Sequence, residues 1–257
     1  MDAKKQSLEH EDFAAIREQA RRSISRSAII AKVERAAGEV QAFCRGKNAA
    51  FAWSGGKDSV ALAAVCDLAG VPDCVLGITD LEYPAFLAWV TAHMPARLEV
   101  INTGLDLEWL AVNPGMLFPQ NANVAAQWFA KVQHTAQRQY YRRHGLDVIM
   151  VGRRRSDGNF VGRDGQNWYS ADGVLRYSPL ADWSHADVFA CIDHFGLKLP
   201  PFYDWPRGYR CGTHPWAARQ WCKGVAHGWH EVHQIDPSIV RHAATRIHSA
   251  ARYLERH

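Results

Sequence analysis

The chain has 257 residues, 47% of them hydrophobic and 22% charged, with a net charge of +4 and an isoelectric point near 8.8. This is an ordinary globular balance that can bury a full core, and its mild basicity suits an anionic substrate without requiring a nucleic-acid partner. No apolar run reaches the ~18 residues of a membrane span and the first residues lack the apolar core of a signal peptide, so no membrane association and a cytoplasmic location are expected.

Residues 1–48 read as helix, with Phe13, Ile16, Ala20, Ile24, Ala28, Ala31 and Val33 near helical spacing and a break at Gly46 and Asn48. A short apolar strand, 49–53, enters the stretch SGGKDS at 54–59, and a helix follows until Gly70. Strands are expected at 74–79, 98–103 and 147–152, with helices at 83–94 and 123–145 between them. This alternation predicts an α/β fold with a parallel twisted sheet and helices on both faces. The turn signals Asp164-Gly165 and Asp172-Gly173 then predict a hairpin, and Ser184 caps a helix that stops at Gly196. An aromatic, Pro/Gly-rich loop follows. The last helix starts at Asp236-Pro237, with Ile239, Ala243, Ile247, Ala251 and Leu254 on one face. The expected organisation is an N-terminal helical segment (1–48), a nucleotide-binding α/β domain (49–216) and a C-terminal helical segment (217–257).

The 54–59 loop carries the clearest chemistry. A strand, small residues and a helix start present free backbone N–H groups to an anion, and the helix dipole favours negative charge there. Gly55 and Gly56 allow close backbone approach, Lys57 adds a charge, and Ser54 and Ser59 add hydroxyls. Asp58 is suited to cap the first helical turn or to hold a metal. A Walker A loop is excluded, because Asp58 follows Lys57 and Phe51 stands where its first glycine would be.

The SGGKDS stretch resembles the PP-loop of N-type ATP pyrophosphatases, and most of all the phosphoadenylyl-sulfate (PAPS) reductase-like family. The segments VGRRRSDG (151–158) and DGVLRYSPLADWSHADVFACIDHFGLKLPPFYDWPRGY (172–209) resemble that family in the same order. The resemblance implies an adenine nucleotide α-hydrolase, Rossmann-like fold. It implies that Ser54, Gly55, Gly56, Lys57, Asp58 and Ser59 hold phosphate or pyrophosphate, that Thr79 and Asp80 lie near ribose or adenine, and that Gly152, Arg153 and Arg154 approach the phosphates. Lys57, Asp58, Ser59, Arg153 and Arg154 are then the expected catalytic set, with ATP and Mg²⁺ as cofactors and Asp58 as the metal ligand. Lys131 falls where the family often has a basic residue.

The implied reaction is attack on the α-phosphate of ATP, release of pyrophosphate and adenylation of a substrate in a sulfur-transfer pathway. Thio-modification of nucleic acid, such as DNA phosphorothioation or tRNA thiolation, is the candidate. ATP or an adenylyl-sulfate-type nucleotide is the expected ligand. A nucleic-acid acceptor, a cysteine desulfurase donor and a homodimer stay open. The first alternative is a thioredoxin-linked phosphoadenylyl-sulfate or adenylyl-sulfate reductase. It needs the family's nucleophilic cysteine in an E-C-G-L-H tail, whereas this sequence has no cysteine after Cys222, and Cys211 aligns with a loop position. The second is a non-catalytic nucleotide-binding module, which need not keep Lys57, Asp58 and both serines. The six cysteines (Cys44, Cys66, Cys74, Cys191, Cys211 and Cys222) form no C-x-x-C pair, so no iron–sulfur cluster or zinc site is expected. His227, His230 and His233 read as packing around Trp216, Trp221 and Trp229, with Gly228 weakening a helix there.

Overall fold

The computed structural model describes residues 8–162, 167–170 and 172–257. It opens with α1 (His10–Ser23) and α2 (Arg26–Cys44). The periodicity predicts one helix here. Ile24 and Ser25 are extended instead, and the Ser25 side chain accepts from the Ala28 amide to start α2 afresh.

β1 (Ala49–Ala52) leads into α3 (Lys57–Leu68), followed by β2 (Asp73–Ile78), α4 (Pro84–His93), β3 (Arg97–Asn102) and α5 (Leu107–Val112). α6 (Ala122–Phe129) continues through a π-helical turn (Ala130–His134) into α7 (Thr135–His144), which ends on Gly145 in the left-handed conformation. Then come β4 (Val148–Met150), β5 (Asn167–Tyr169), β6 (Leu175–Tyr177) and α8 (His185–His194). Four helices complete the fold: α9 (Gly208–Cys211), α10 (Val225–Ile235), α11 (Pro237–Ala244) and α12 (His248–Leu254).

The six strands lie in the order β3-β2-β1-β4-β6-β5. Every neighbouring pair is parallel except β5 with β6. The predicted hairpin is therefore part of the main sheet: β6 adds to β4, and β5 closes the edge. Gly173, with φ of 79°, turns the chain between them. The other turn signal, Asp164-Gly165, lies outside the described residues.

Alternation along the strands sorts the core. Phe51, Cys74, Leu76 and Met150 face the side of α2, α3 and α8, with α1 packed on α8, while Ala50, Val75 and Ile149 face α7 with Tyr140 and Tyr141. The C-terminal helix expected from Asp236 is broken at 245–247, so Ala250 and Tyr253, rather than Ala251 and Leu254, continue the buried face of Ile239 and Ala243. Gly228 does not stop α10; a Cβ there would overlap the Phe118 ring, so the missing side chain makes room for the helix to pack. Among the described residues no helix is long and apolar enough to cross a membrane.

Candidate active site

β1 is the point where the sheet order reverses: the chain runs from it to β2 and β3 on one side, and β4 lies on the other. Open parallel sheets bind ligands beyond the carboxyl ends of their strands at such a point. The 54–59 loop sits there. Gly55 has φ of 69°, and a Cβ on it would lie 2.9 Å from Trp89 Cζ3 and 3.0 Å from Phe86 Cε2. Glycine is thus required both by conformation and by space. Trp89 in turn stacks on Trp53, at 5.6 Å between rings, and fixes the floor of the loop.

Both serines brace the loop from within. The Ser54 amide donates to Ser59 Oγ at 3.1 Å, Ser59 Oγ donates to the Gly56 carbonyl at 2.9 Å, and the Gly56 amide donates to Ser54 Oγ at 3.3 Å. Over Gly56 three hydroxyls converge: a Cβ there would meet Ser54 Oγ at 3.2 Å, Thr213 Oγ1 at 3.4 Å and Tyr203 OH at 3.6 Å. Tyr203 OH also accepts from the Lys57 amide at 2.6 Å, at the start of α3. Burial pushes the Tyr203 phenol upward, so it keeps its proton and has a hydrogen left to donate. A cradle of backbone N–H groups and hydroxyls around a glycine fits phosphate oxygens.

The charges behind this cradle pair with one another. Lys57 is 2% exposed, and its Nζ lies 2.9 Å from the Asp58 carboxylate. Asp58 also accepts from Arg154 Nε at 2.8 Å. The Arg154 guanidinium, fully buried, donates further to Ser156 Oγ at 2.6 Å, to the Trp183 carbonyl at 3.0 Å and to Asp157 at 3.0 and 3.1 Å, with His185 Nδ1 at 3.1 Å. Burial first, then Arg154 and Lys57, pushes His185 down to about 4, so it stays neutral. Lys57 and Arg154 thus balance Asp58 and Asp157, and the field that receives an anion is that of the α3 N-terminus. Asp58, the expected Mg²⁺ ligand, thus lies between the Lys57 ammonium and the Arg154 guanidinium.

Three expectations change. Arg154 does not project into the cradle; it is an inward strut holding Asp58. Arg153 points to the opposite face, with its guanidinium 5.1 Å from the Trp168 ring centre and 5.7 Å from that of Phe129. Consecutive residues of an extended segment alternate sides, so the two arginines could not share one phosphate. Gly152 approaches protein: a Cβ there would lie 3.1 Å from the Asp58 carbonyl, so the glycine lets the end of β4 touch the start of α3. Arg155 is exposed and pairs with Asp182.

At the end of β2, Thr79 is buried, and its amide and hydroxyl donate to Glu82 Oε1 at 3.1 and 3.2 Å. Asp80 is exposed and accepts from Asn102 Nδ2 at 2.6 Å. Thr79 therefore shapes the turn, and Asp80 reaches the surface beside it. Lys131 is exposed, its ammonium over the Trp109 ring. The sequence reading missed Tyr203, Thr213, His185 and Asp157. Tyr203 and Thr213 lie in the aromatic loop after α8, whose lack of periodicity was the available signal; His185 looks like any first-turn residue.

All six cysteines are buried, and burial pushes the Cys222 thiol up to about 12. Cys222, His227 and Glu231 bring ligand atoms within 4.8 Å of one another. Glu231, however, accepts from Arg207 at 2.7 Å and Arg219 at 2.7 Å, which hold its carboxyl down to about 2, so its charge is already matched by guanidiniums. His233 packs on Tyr253.

Several solved structures are similar to this chain at low identity. A phosphoadenylyl-sulfate (PAPS) reductase from Candida auris in a phosphate complex is 17% identical, with 77% of this chain and 92% of that chain covered, at a TM-score of 0.49. The U34-tRNA thiolase NcsA from Methanococcus maripaludis, solved with its 4Fe–4S cluster, is 14% identical over 90% of this chain and 80% of that one, at a TM-score of 0.48. FMN adenylyltransferase from Candida glabrata is 14% identical over 76% and 67%, at 0.46. No curated protein matches the chain. The profile of the phosphoadenosine phosphosulfate reductase domain matches residues 48–211, well over half the chain, from the strand before the loop to the end of α9. The chain belongs to the phosphoadenosine phosphosulfate reductase domain family.

Proposed function

We propose that this chain binds ATP at the β1–α3 turn, releases pyrophosphate and leaves its substrate adenylated, as one step of a sulfur-transfer pathway. Family membership supports nucleotide binding and sulfur-related chemistry. The observation that carries the finer reading is the cradle at Gly56, where amides and the hydroxyls of Ser54, Tyr203 and Thr213 converge at the N-terminus of α3. These donors suit the β- and γ-phosphates that depart as pyrophosphate. Lys57 supplies the positive charge for the leaving group: its ammonium, paired with Asp58, turns to the departing pyrophosphate while Arg154 keeps Asp58 neutralised. Ser59 braces the loop in this reading, and Arg153 lies outside the catalytic group. Nucleic acid awaiting thio-modification is the candidate acceptor, and a cysteine desulfurase the candidate sulfur donor.

A thioredoxin-linked reductase would need a reachable thiolate. Burial of all six cysteines speaks against it. The test is pyrophosphate release from ATP. Lys57→Ala should lower turnover by ~10²-fold or more, the scale of one lost transition-state contact. Because Lys57 is buried against Asp58, the variant's fold is checked by its melting profile. A folded variant that releases pyrophosphate at the wild-type rate would refute the assignment.

A further inference from the structure

The arginine that turns away from the loop lines a second site. Between α7 and the β5–β6 hairpin lies a cavity of about 260 Å³, walled by His134, Arg138, Arg153, Trp168, Tyr169 and Arg176, among others. It is rich in positive charge. Three guanidiniums face one carboxylate, Asp172, which pairs with Arg138 at 3.2 Å and with the exposed Arg142 at 3.8 Å. Arg153 and Arg176 both lie over the Trp168 ring, at 5.1 and 5.8 Å. Arg176 is held by Gln137 and by Tyr141 OH, whereas Arg153 makes only a long contact, 3.5 Å, to the Phe160 carbonyl among its hydrogen bonds within the described residues.

Two details suit the cavity to an anion. His134 Nε2 is buried with no hydrogen-bond partner among the described residues. Burial, then Arg176, Arg153 and Arg138, hold that ring neutral, down to about 4. Burial, then Arg176, brings even Arg153 down to about 10, and a negative charge beside it would oppose that shift. At the rim stand two exposed rings, Tyr169 of the cavity wall at 71% and Phe160, edge-on to Trp168, at 61%. Guanidiniums around a pocket with bare rings at its mouth are the pattern that tracks a strand's backbone and stacks its bases.

We propose that this cavity holds a phosphodiester of a single-stranded nucleic acid, with neighbouring bases laid on Tyr169 and Phe160. As the acceptor site of the adenylation proposed above, the inference rests on that reading; as a binding site, it does not. Arg153 and Arg154, just after β4, join the two sites: one lines this cavity and the other holds Asp58 at the phosphate cradle.

The test is fluorescence anisotropy of a labelled single strand of ~12 nucleotides, a length within the range such sites cover. Arg138→Ala and Tyr169→Ala alter exposed side chains and leave the core intact. Each should weaken binding by about tenfold, and Arg138→Ala should also reduce the salt slope by about one. Arg252→Ala, on the exposed side of α12, is the charge-matched control and should stay within about twofold. Absence of wild-type binding would overturn the proposal. So would an equal loss in Arg252→Ala, equally tight binding of the duplex, or displacement of the strand by millimolar inorganic phosphate. None of these measurements involves pyrophosphate release, so failure of this site and failure of the adenylation reading are told apart.

Discussion

Replacing Arg154 by lysine keeps one positive charge in a fully buried position and removes the planar fork on which the position depends. Three guanidinium nitrogens serve five groups: Nε the Asp58 carboxylate, Nη1 the Ser156 hydroxyl and Trp183 carbonyl, and Nη2 the Asp157 carboxylate and His185. A lysine ends in a single nitrogen and cannot span Asp58 and Asp157 together. At least two charge-assisted hydrogen bonds fall away, each contributing about 1.5 kcal/mol, so the fold should lose about 3 kcal/mol. With a urea slope of about 3 kcal/mol/M, the unfolding midpoint should drop by ~1 M. Circular dichroism and tryptophan fluorescence, followed together, would read the shift and test for two-state behaviour. Arg155→Lys is the internal control, since its pair with Asp182 is exposed and contributes less than about 1 kcal/mol. If Arg154→Lys unfolds at the wild-type midpoint, Arg154 is not the strut described here.

Gly228→Ala should destabilise by about 1–3 kcal/mol through the clash with Phe118, although alanine is the better helix former by about 1 kcal/mol; thermal melts decide the sign. Burial pushes Glu82 up to about 8 from an ordinary 4.5. The folded state thus binds more protons across that window, and stability should fall as pH rises from 5 to 8, on the order of 2–3 kcal/mol. Glu82→Gln should flatten this profile in urea titrations, and an unchanged slope would count against a protonated Glu82. All six buried thiols should resist a thiol reagent in the native protein and react when it is unfolded in denaturant. Cys211→Ser and Cys222→Ser should each keep ATP-dependent pyrophosphate release, and sulfite production abolished by either would favour a reductase.

The sequence by itself determined the parts governed by near neighbours. Strand–helix alternation from Ala49 to Met150 follows from local periodicity, and the glycines of the 54–59 loop follow from a turn that only glycine tolerates, as the 69° φ of Gly55 bears out. Helix breaks at Ser25 and Thr245 escaped because apolar spacing continues across them; the turns are fixed by a cap and by packing, not by a breaker residue. Tertiary structure alone decided which way each charge points. Arg153 and Arg154 are adjacent and chemically identical, yet one joins Asp58, Asp157 and His185, and the other joins Trp168 and Phe129. The pleat sends them to opposite sides of the sheet, and what waits on each side comes from segments up to about a hundred residues away. Tyr203 reaches the Lys57 amide across 146 residues in the same manner, through a contact that no local pattern encodes. Propensity and turn chemistry act over a few residues; the pairing of buried charges is set by the packing of whole elements, and only the folded chain brings them together.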